Sequence, residues 1–563
     1  MMRVLPLLLL AAACAAPFQV EEATIADIHQ AMEEGRITAE ELVQSYLDRI
    51  EAYDRQGPYL NSIITVSEHA LQRARELDAA FAESGFTGPL HGIPVIVKDN
   101  YDTHDLPTTN GTLAFRGAIP PDDAYQVRKL REAGAIVLAK SNLAEFASSG
   151  AFTLSSVLPG FSRNPYDPTR VTAGSSGGTG AAVAANFGAV GLGSDTGSSI
   201  RGPSSHQALV GFRTTMGLTS RDGIAPLSGA RDVGGPMTRT VADAVAVLEV
   251  IVGQDPADPV TFESEGRVPE NYRQFLDAGA LEGARIGVLR QLFEEARDYD
   301  DPRSLGSGVL APGEEMPSED PEAGEDQESG AREAQDEDEE QQEDDQQEDE
   351  LTTIHPEVLR VMEQALEDMR AAGAVIVDPV EIPDLDDIRG DFPSISRLKH
   401  DFEKYLATRP ELKFKTLDEV VESGDFHPFL RASMERNREV DYVPEEHEDY
   451  PLYLETQQRL QDAVLAVMEE HEVDVLVYPT YNYPARLIGD ENTTYGANSS
   501  ILSPPTGFPA FNVPMGYSFG TLPAGLQLLG RPFDEPTLIR ISYAYEQATQ
   551  HRRPPPFTPP LSR

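Results

Sequence analysis

Two short serine clusters hold the residues of this chain best suited to chemistry. They are Gly174-Ser175-Ser176-Gly177-Gly178 and Gly193-Ser194-Asp195-Thr196-Gly197-Ser198-Ser199-Ile200-Arg201, in a stretch dense in serine and glycine. Serines flanked by glycines leave room for backbone N–H groups to converge on a reacting carbonyl, as a serine nucleophile and its oxyanion hole require. A serine hydroxyl is a poor nucleophile without a base. Lys98, at the end of the apolar run Ile93-Pro94-Val95-Ile96-Val97, is the candidate base if burial keeps its amine neutral. Bringing a lysine from about 10.4 to roughly 8 costs about 3 kcal/mol, which a desolvated site can bear. Taken alone, Lys98 reads more simply as a surface lysine closing a strand. Lysine is scarce, however, at 7 of the 45 basic residues. Together these residues make the chain look like a hydrolase.

Two other patterns compete for the same residues. Gly174-Ser175-Ser176-Gly177-Gly178 satisfies G-x-S-x-G, the nucleophile elbow, with Ser176 as nucleophile. An elbow follows a strand directly, whereas Pro165-Tyr166-Asp167-Pro168-Thr169-Arg170 reads as loop, which disfavours it. Gly178-Thr179-Gly180-Ala181-Ala182-Val183 lacks the preceding strand of a dinucleotide-binding loop. The small residues of 178–189 fit better as a helix packed closely against the active-site loops.

These clusters need a scaffold, and the apolar periodicity outlines one. Residues 25–53 carry two amphipathic helices separated by Gly35, the second opened by the capping signal Thr38-Ala39-Glu40-Glu41. A helix over 67–84 leads to a buried strand over 93–97 that ends at Lys98-Asp99-Asn100. A helix over 124–133 passes through Gly134 into a strand over 135–139. Further along, 356–372 reads as helix, 374–377 as strand, 453–470 as helix and 473–478 as strand, with a closing helix through Glu546. Helices alternating with short β-branched runs predict an α/β sheet.

Composition narrows the function classes. With 563 residues, 40% of them hydrophobic, the chain can bury a large core. Its formal charge of −49 argues against a nucleic-acid partner, since a phosphate backbone is held by Lys and Arg fields. Residues 313–350 hold 20 acidic residues against one basic, Arg332, so −19 of the −49 is local and −30 is spread over the rest. That block, almost without aliphatics, cannot offset its ordering entropy and is expected to be a disordered insertion at 311–352. A surface this poor in lysine and rich in Asp and Glu suits hydration in strong salt, with genomic base composition as the alternative source of the bias.

The beginning of the chain reads as an address. Met1-Met2-Arg3 is positively charged, 4–13 is apolar, and small residues surround Cys14, which predicts a signal segment over 1–16 and an exported protein. Cys14 is the single cysteine, so no internal disulfide forms; its place after the apolar run fits a lipid anchor, the alternative being its removal by cleavage at Ala13-Cys14-Ala15. Export predicts a periplasmic or cell-envelope lipoprotein, or otherwise a secreted protein.

Several separate motifs, in order, resemble the amidase signature family of serine hydrolases. They are Gly92-Ile93-Pro94-Val95-Ile96-Val97-Lys98-Asp99-Asn100, Ala139-Lys140-Ser141-Asn142-Leu143-Ala144-Glu145-Phe146-Ala147, the serine clusters over 173–178 and 193–203, Leu209-Val210-Gly211-Phe212-Arg213-Thr214-Thr215, Gly217-Leu218-Thr219-Ser220-Arg221-Asp222-Gly223-Ile224, and Gly235-Pro236-Met237-Thr238-Arg239-Thr240-Val241-Ala242-Asp243. The likeness extends over the C-terminal 507–546 and omits only the acidic block and residues 378–455. It implies a single large α/β domain over 20–555, with a central mixed β-sheet covered by helices, interrupted by the insertion.

The resemblance also implies a Ser-cisSer-Lys triad. Ser199 would be the nucleophile, Ser175 the bridging serine after a cis peptide bond, and Lys98 the base. The backbone N–H groups of Thr196, Gly197, Ser198 and Ser199 would form the oxyanion hole. Ser176, Asp195 and Arg201 would support them, the last two as an ion pair that ties the loop. The substrate implied is a small-molecule or peptide amide, cleaved to acid plus ammonia or amine without cofactor or metal. Residues 378–455, outside every motif, are expected to wall the pocket. Ser198 departs from the family, which usually has Gly there, and so narrows the acyl site or adds a hydroxyl to it. Two rival functions are the glutamine-hydrolysing subunit of a tRNA-amidating complex, which an exported chain would not meet, and a catalytically silent, cation-binding surface lipoprotein, for which the acidic block lacks ligand spacing.

Overall fold

The computed structural model describes residues 18–293, 295–296, 353–490, 493 and 496–561. The signal segment expected at 1–16, with Cys14, and the acidic insertion expected at 311–352 lie outside the described residues. Helices α1 (Ile25–Glu33) and α2 (Ala39–Arg49) are each opened by a capping box, Thr24 with Asp27 and Thr38 with Glu41. Each buries one apolar face, through Ile28 and Met32 and through Leu42, Val43 and Tyr46. Helix α3 (Ala70–Ser84) begins three residues later than its periodicity suggests.

An eleven-stranded sheet forms the centre. Its strands in chain order are β1 (Ile63–Val66), β2 (Pro94–Lys98), β3 (Ile136–Ser141), β4 (Val190–Asp195), β5 (Val210–Arg213), β6 (Val233–Thr238), β7 (Arg285–Val288), β8 (Val375–Val377), β9 (Val475–Pro479), β10 (Ala510–Ser518) and β11 (Leu522–Leu529). Across the sheet they run β1-β3-β2-β4-β6-β5-β10-β11-β9-β7-β8. Strand β2 is parallel to β3 and β4, and β7 to β8 and β9; the other neighbours are antiparallel, so the sheet is mixed. Strand β2 is buried along its whole length, which is why its sequence is a continuous apolar run rather than an alternation. The fold is the single large α/β domain with helices over a mixed sheet that the motifs imply.

Helix α4 (Tyr125–Glu132) precedes β3, and the small-residue helix α5 (Gly177–Ala184) lies against β2 and β4. A Cβ on Gly178 would sit 2.4 Å from the Asn142 carbonyl oxygen and 2.6 Å from that of Ser62, so only glycine lets α5 approach this closely. Of residues 165–170, only Pro165 and Tyr166 form the loop that the two prolines suggest, as the turn of a hairpin. Asp167–Val171 is a short strand paired antiparallel with Arg163–Asn164, in a two-stranded hairpin outside the main sheet, where proline is tolerated. Four residues still separate this strand from Ser176, the N-cap of α5.

Helices α6 (Arg201–His206), α7 (Val241–Ile251) and α8 (Pro356–Ala371) pack on the sheet. The segment that matches no motif folds into α9 (Leu398–Ala407), α10 (Leu417–Ser423) and α11 (Arg431–Arg438), with an apolar cluster of its own. Phe402 anchors this cap on the main domain, edge-on to Phe146 at 5.5 Å and 5.9 Å from Phe115 between ring centres. The long α12 (Tyr450–Glu470) and the closing α13 (Glu535–Thr549) complete the helical cover.

Candidate active site

The site gathers at the carboxyl ends of the parallel strands β2 and β4. Lys98 is the last residue of β2 and is wholly buried. Its Nζ lies 2.7 Å from Ser175 Oγ, 2.9 Å from Ser194 Oγ and 3.3 Å from the Ser194 carbonyl oxygen. Asn100 donates its side-chain N–H to the same Ser194 Oγ at 3.0 Å. Burial brings the Lys98 amine down from its ordinary value to about 7, with the charges of Asp195 and Asp232 opposing the shift. A lysine with hydroxyls and a carbonyl for neighbours, and no carboxylate in contact, is one that burial can keep neutral.

Ser175 is presented by an unusual stretch of backbone. The Gly174–Ser175 peptide is cis, and Ala173 has φ 57°. A Cβ on Gly174 would lie 2.3 Å from the Phe152 carbonyl oxygen and 2.5 Å from that of Ser149, so only glycine fits. Ser176 turns away from the cavity: its Oγ donates to the Ser194 carbonyl at 3.2 Å, and its backbone N–H donates to the Ser199 carbonyl at 3.2 Å. Ser176 thus holds the two serine clusters together.

Ser199 is nearly buried and lines a cavity of about 550 Å³ together with Thr196, Gly197 and Ser198. Among the described residues Ser199 Oγ has no hydrogen-bond partner, and the backbone N–H groups of Thr196, Gly197, Ser198 and Ser199 donate to no protein acceptor. Four uncommitted donors beside a free hydroxyl are what an oxyanion site needs. Among the described residues no histidine lines the cavity. Ser198 keeps φ outside the left-handed region, and its hydroxyl lies 3.3 Å from the Tyr481 hydroxyl, which donates to the Gly150 carbonyl at 2.8 Å.

The loop at 196–199 is pinned from behind. Asp195 meets Arg201 through both carboxylate oxygens at 3.1 Å and Arg213 at 3.1 Å, and accepts from the Ile200 N–H at 3.0 Å. Burial alone would push the Asp195 carboxyl up, but the Arg201 and Arg213 guanidiniums outweigh it and hold it well below the usual carboxylate range. Arg201 also donates to the carbonyls of Gly197 and Ser499, both at 2.6 Å. Asp232 secures the loop's other side, accepting from Thr196 Oγ1 at 2.5 Å and from the N–H groups of Leu227 and Ser228 at 2.9 Å. Replacing Asp195 with Asn should cost about 3–5 kcal/mol in denaturant unfolding, because it leaves two buried guanidiniums short of a counter-charge.

Ser194, Arg213 and Asp232 are site residues that the sequence does not single out. Ser194 is visible only as the residue preceding Asp195, and Asn100 as the residue two beyond Lys98 on the same motif. Nothing in the sequence connects Asp232 with Thr196 across 36 positions. The cap closes the cavity's far side with Ser394, Arg397, Met434 and Asn437, as expected for residues 378–455.

Known proteins share this sequence pattern and architecture. A family model described as Amidase matches residues 41–305 and 346–539. A probable amidase of Arabidopsis thaliana is 30% identical over 561 residues, covering 96% of this chain and 92% of its own length. A glutamyl-tRNA(Gln) amidotransferase subunit of Moorella thermoacetica is 32% identical, over 92% of this chain and 95% of its own. The crystal structure of native peptide amidase from Stenotrophomonas maltophilia superimposes with a TM-score of 0.75 at 32% identity, over 96% of this chain and 99% of that one.

Proposed function

Because this chain belongs to the amidase family and is an amide-hydrolysing enzyme, we propose that it cleaves carboxylic or peptide amides through a Ser199–Ser175–Lys98 relay, outside the cytoplasm. A neutral Lys98 has two N–H groups and one lone pair. The two oxygens of Ser194 take the N–H groups, leaving the lone pair for the Ser175 hydroxyl 2.7 Å away. Lys98 accepts the Ser175 proton as Ser175 accepts that of Ser199, and Ser199 Oγ attacks the amide carbon. The oxyanion that forms is held by the N–H groups of 196–199. The relay then returns the proton to the leaving nitrogen, the C–N bond breaks, and water releases the acid from Ser199. The Ser175–Ser199 hydrogen bond is the one link absent from this state; rotation of the Ser199 side chain makes it when substrate enters, since catalytic contacts commonly tighten only in the loaded site.

The observation that carries this reading is a buried lysine, brought down to about 7, in contact with the hydroxyl of Ser175. Protonated Lys98 cannot act as base, so kcat/KM for ammonia release should rise with pH through about 7 and level off above it. A profile flat from acid to alkaline pH would contradict the assignment.

Export rests on the charged, apolar and small residues around Cys14, and we place the enzyme in the periplasm or cell envelope with a lipid at Cys14. No nucleic-acid partner is proposed for a chain of charge −49. Mass analysis of the mature N-terminus tests this: a lipidated Cys14 supports it, and an intact Met1 overturns it.

A further inference from the structure

The charge of the catalytic cavity is opposite to that of the chain. The protein carries −49, yet among the described residues no Asp or Glu lines the cavity that holds Ser199, whereas Arg231 and Arg397 do. The two arginines differ. Arg397 is neutralised by Asp401 at 3.1 Å and by Glu445. Among the described residues the Arg231 side chain has neither an ion-pair nor a hydrogen-bond partner. Of the two arginines that line the cavity, Arg231 is the one left without a counter-charge among the described residues.

The backbone beneath Arg231 is held firmly. Its carbonyl accepts from Arg213 Nη2 at 2.7 Å and its N–H donates to the Ser228 carbonyl at 2.9 Å. The neighbouring Gly229 N–H donates to Asp401 at 2.7 Å, and Leu227 and Ser228 are bound to Asp232. Arg213 and Asp232 are the same groups that fix the oxyanion loop, so Arg231 keeps its position relative to Ser199. A planar fork of donors, carried on a firmly held backbone in a walled cavity, matches a carboxylate.

We propose that Arg231 selects amides whose acyl part carries a negatively charged group, so that the substrates are anionic amides such as acidic amino-acid or acidic peptide amides. This deepens the amidase reading and rests on it. A cationic substrate would meet the unpaired Arg231 guanidinium and no carboxylate among the described residues that line the cavity, and is rejected.

The test compares ammonia release from N-acetylglutamic acid α-amide, N-acetylmethionine amide and N-acetyllysine amide, which are similar in length and differ in charge. Wild type should favour the glutamyl over the lysyl amide by about tenfold or more in kcat/KM, chiefly through KM, with the ratio shrinking as salt is raised. Arg231→Gln should bring that ratio close to one, Arg231→Lys should keep it, and Arg231→Glu should reverse it. Circular dichroism reports whether each variant is folded, and the salt dependence of the wild type reads the same contact without any substitution. Turnover of the neutral methionine amide by wild type reports on hydrolysis by itself. Equal kcat/KM for the three amides, or a ratio that Arg231→Gln leaves unchanged, would overturn the role of Arg231 while leaving hydrolysis standing.

Discussion

Replacing Lys98 with methionine should abolish turnover and at the same time make the folded chain harder to unfold. General-base catalysis contributes about 10²–10⁴-fold, and loss of the group that starts the relay should remove at least that much from kcat. The gain in stability has a separate origin. In the unfolded chain a lysine titrates near about 10.4, whereas in the folded site burial brings Lys98 to about 7. Across that interval the unfolded chain binds the proton and the folded chain does not, so burying the amine costs stability; the difference corresponds to about 4–5 kcal/mol. The penalty is complete at and below about pH 7 and fades as pH rises towards about 10. Methionine, of similar length, removes it but leaves the Ser175 hydroxyl without its partner, which returns about 1–2 kcal/mol, while Ser194 keeps Asn100 and Ser176. The variant should therefore melt above wild type at neutral pH, and the gap should close in alkaline buffer. A variant that melts well below wild type at neutral pH would mean that Lys98 is charged and structurally paired in the fold.

The second large effect is on Ser199, the proposed nucleophile. Ser199→Ala should lower kcat by about 10⁴-fold or more, since removal of the covalent step leaves only binding and the oxyanion donors. It should also abolish labelling by a fluorophosphonate probe. Stability should change little: Ser199 Oγ has no hydrogen-bond partner among the described residues, and the carbonyl that Ser176 binds is retained. Persistence of the label in Ser199→Ala, or its transfer to Ser176, would move the nucleophile elsewhere.

How far the sequence reaches depends on which force decides each element. Helices with one apolar face, such as α1, α2 and α8, repeat at the helical period, and their capping residues stand where the structure uses them. The strand β2, buried on both faces, announces itself as an apolar run. Strands β4 and β6 do not: VGLGSD and VGGPMT are poor in β-branched residues because neighbouring backbone and side chains press on them. A Cβ on Gly193 would lie 2.7 Å from Met237 Sδ and 2.9 Å from Ser176 Oγ, so tertiary packing, not local preference, sets the residue there. The hairpin at 163–171 is hidden by prolines that an isolated edge tolerates.

The site divides in the same way. Lys98, Ser175 and Ser199 stand in recognisable motifs, and Asp195 and Arg201 are close enough in sequence to suggest their pairing. Ser194, Asp232 and Arg231 act through distances that arise only after folding. Arg213 brings its guanidinium from β5 to Asp195, and Asp232, the residue just before β6, reaches Thr196 in the loop at 196–199 from 36 positions away. The cap is a further case. Its helices pack through Phe402 against Phe115 and Phe146, and apolar spacing alone does not say which surface such helices will cover.

The central claim is that Ser199 is activated by Lys98 through the hydroxyl of Ser175. The most direct measurement is the rate of fluorophosphonate labelling of Ser199 as a function of pH, in wild type and in Ser175→Ala. The account predicts a wild-type rate that climbs through about pH 7 and then levels, and a Ser175→Ala rate that is far lower and shows no inflection there. Labelling of Ser175→Ala at the wild-type rate, with the same inflection, would show that the proton leaves Ser199 by another route.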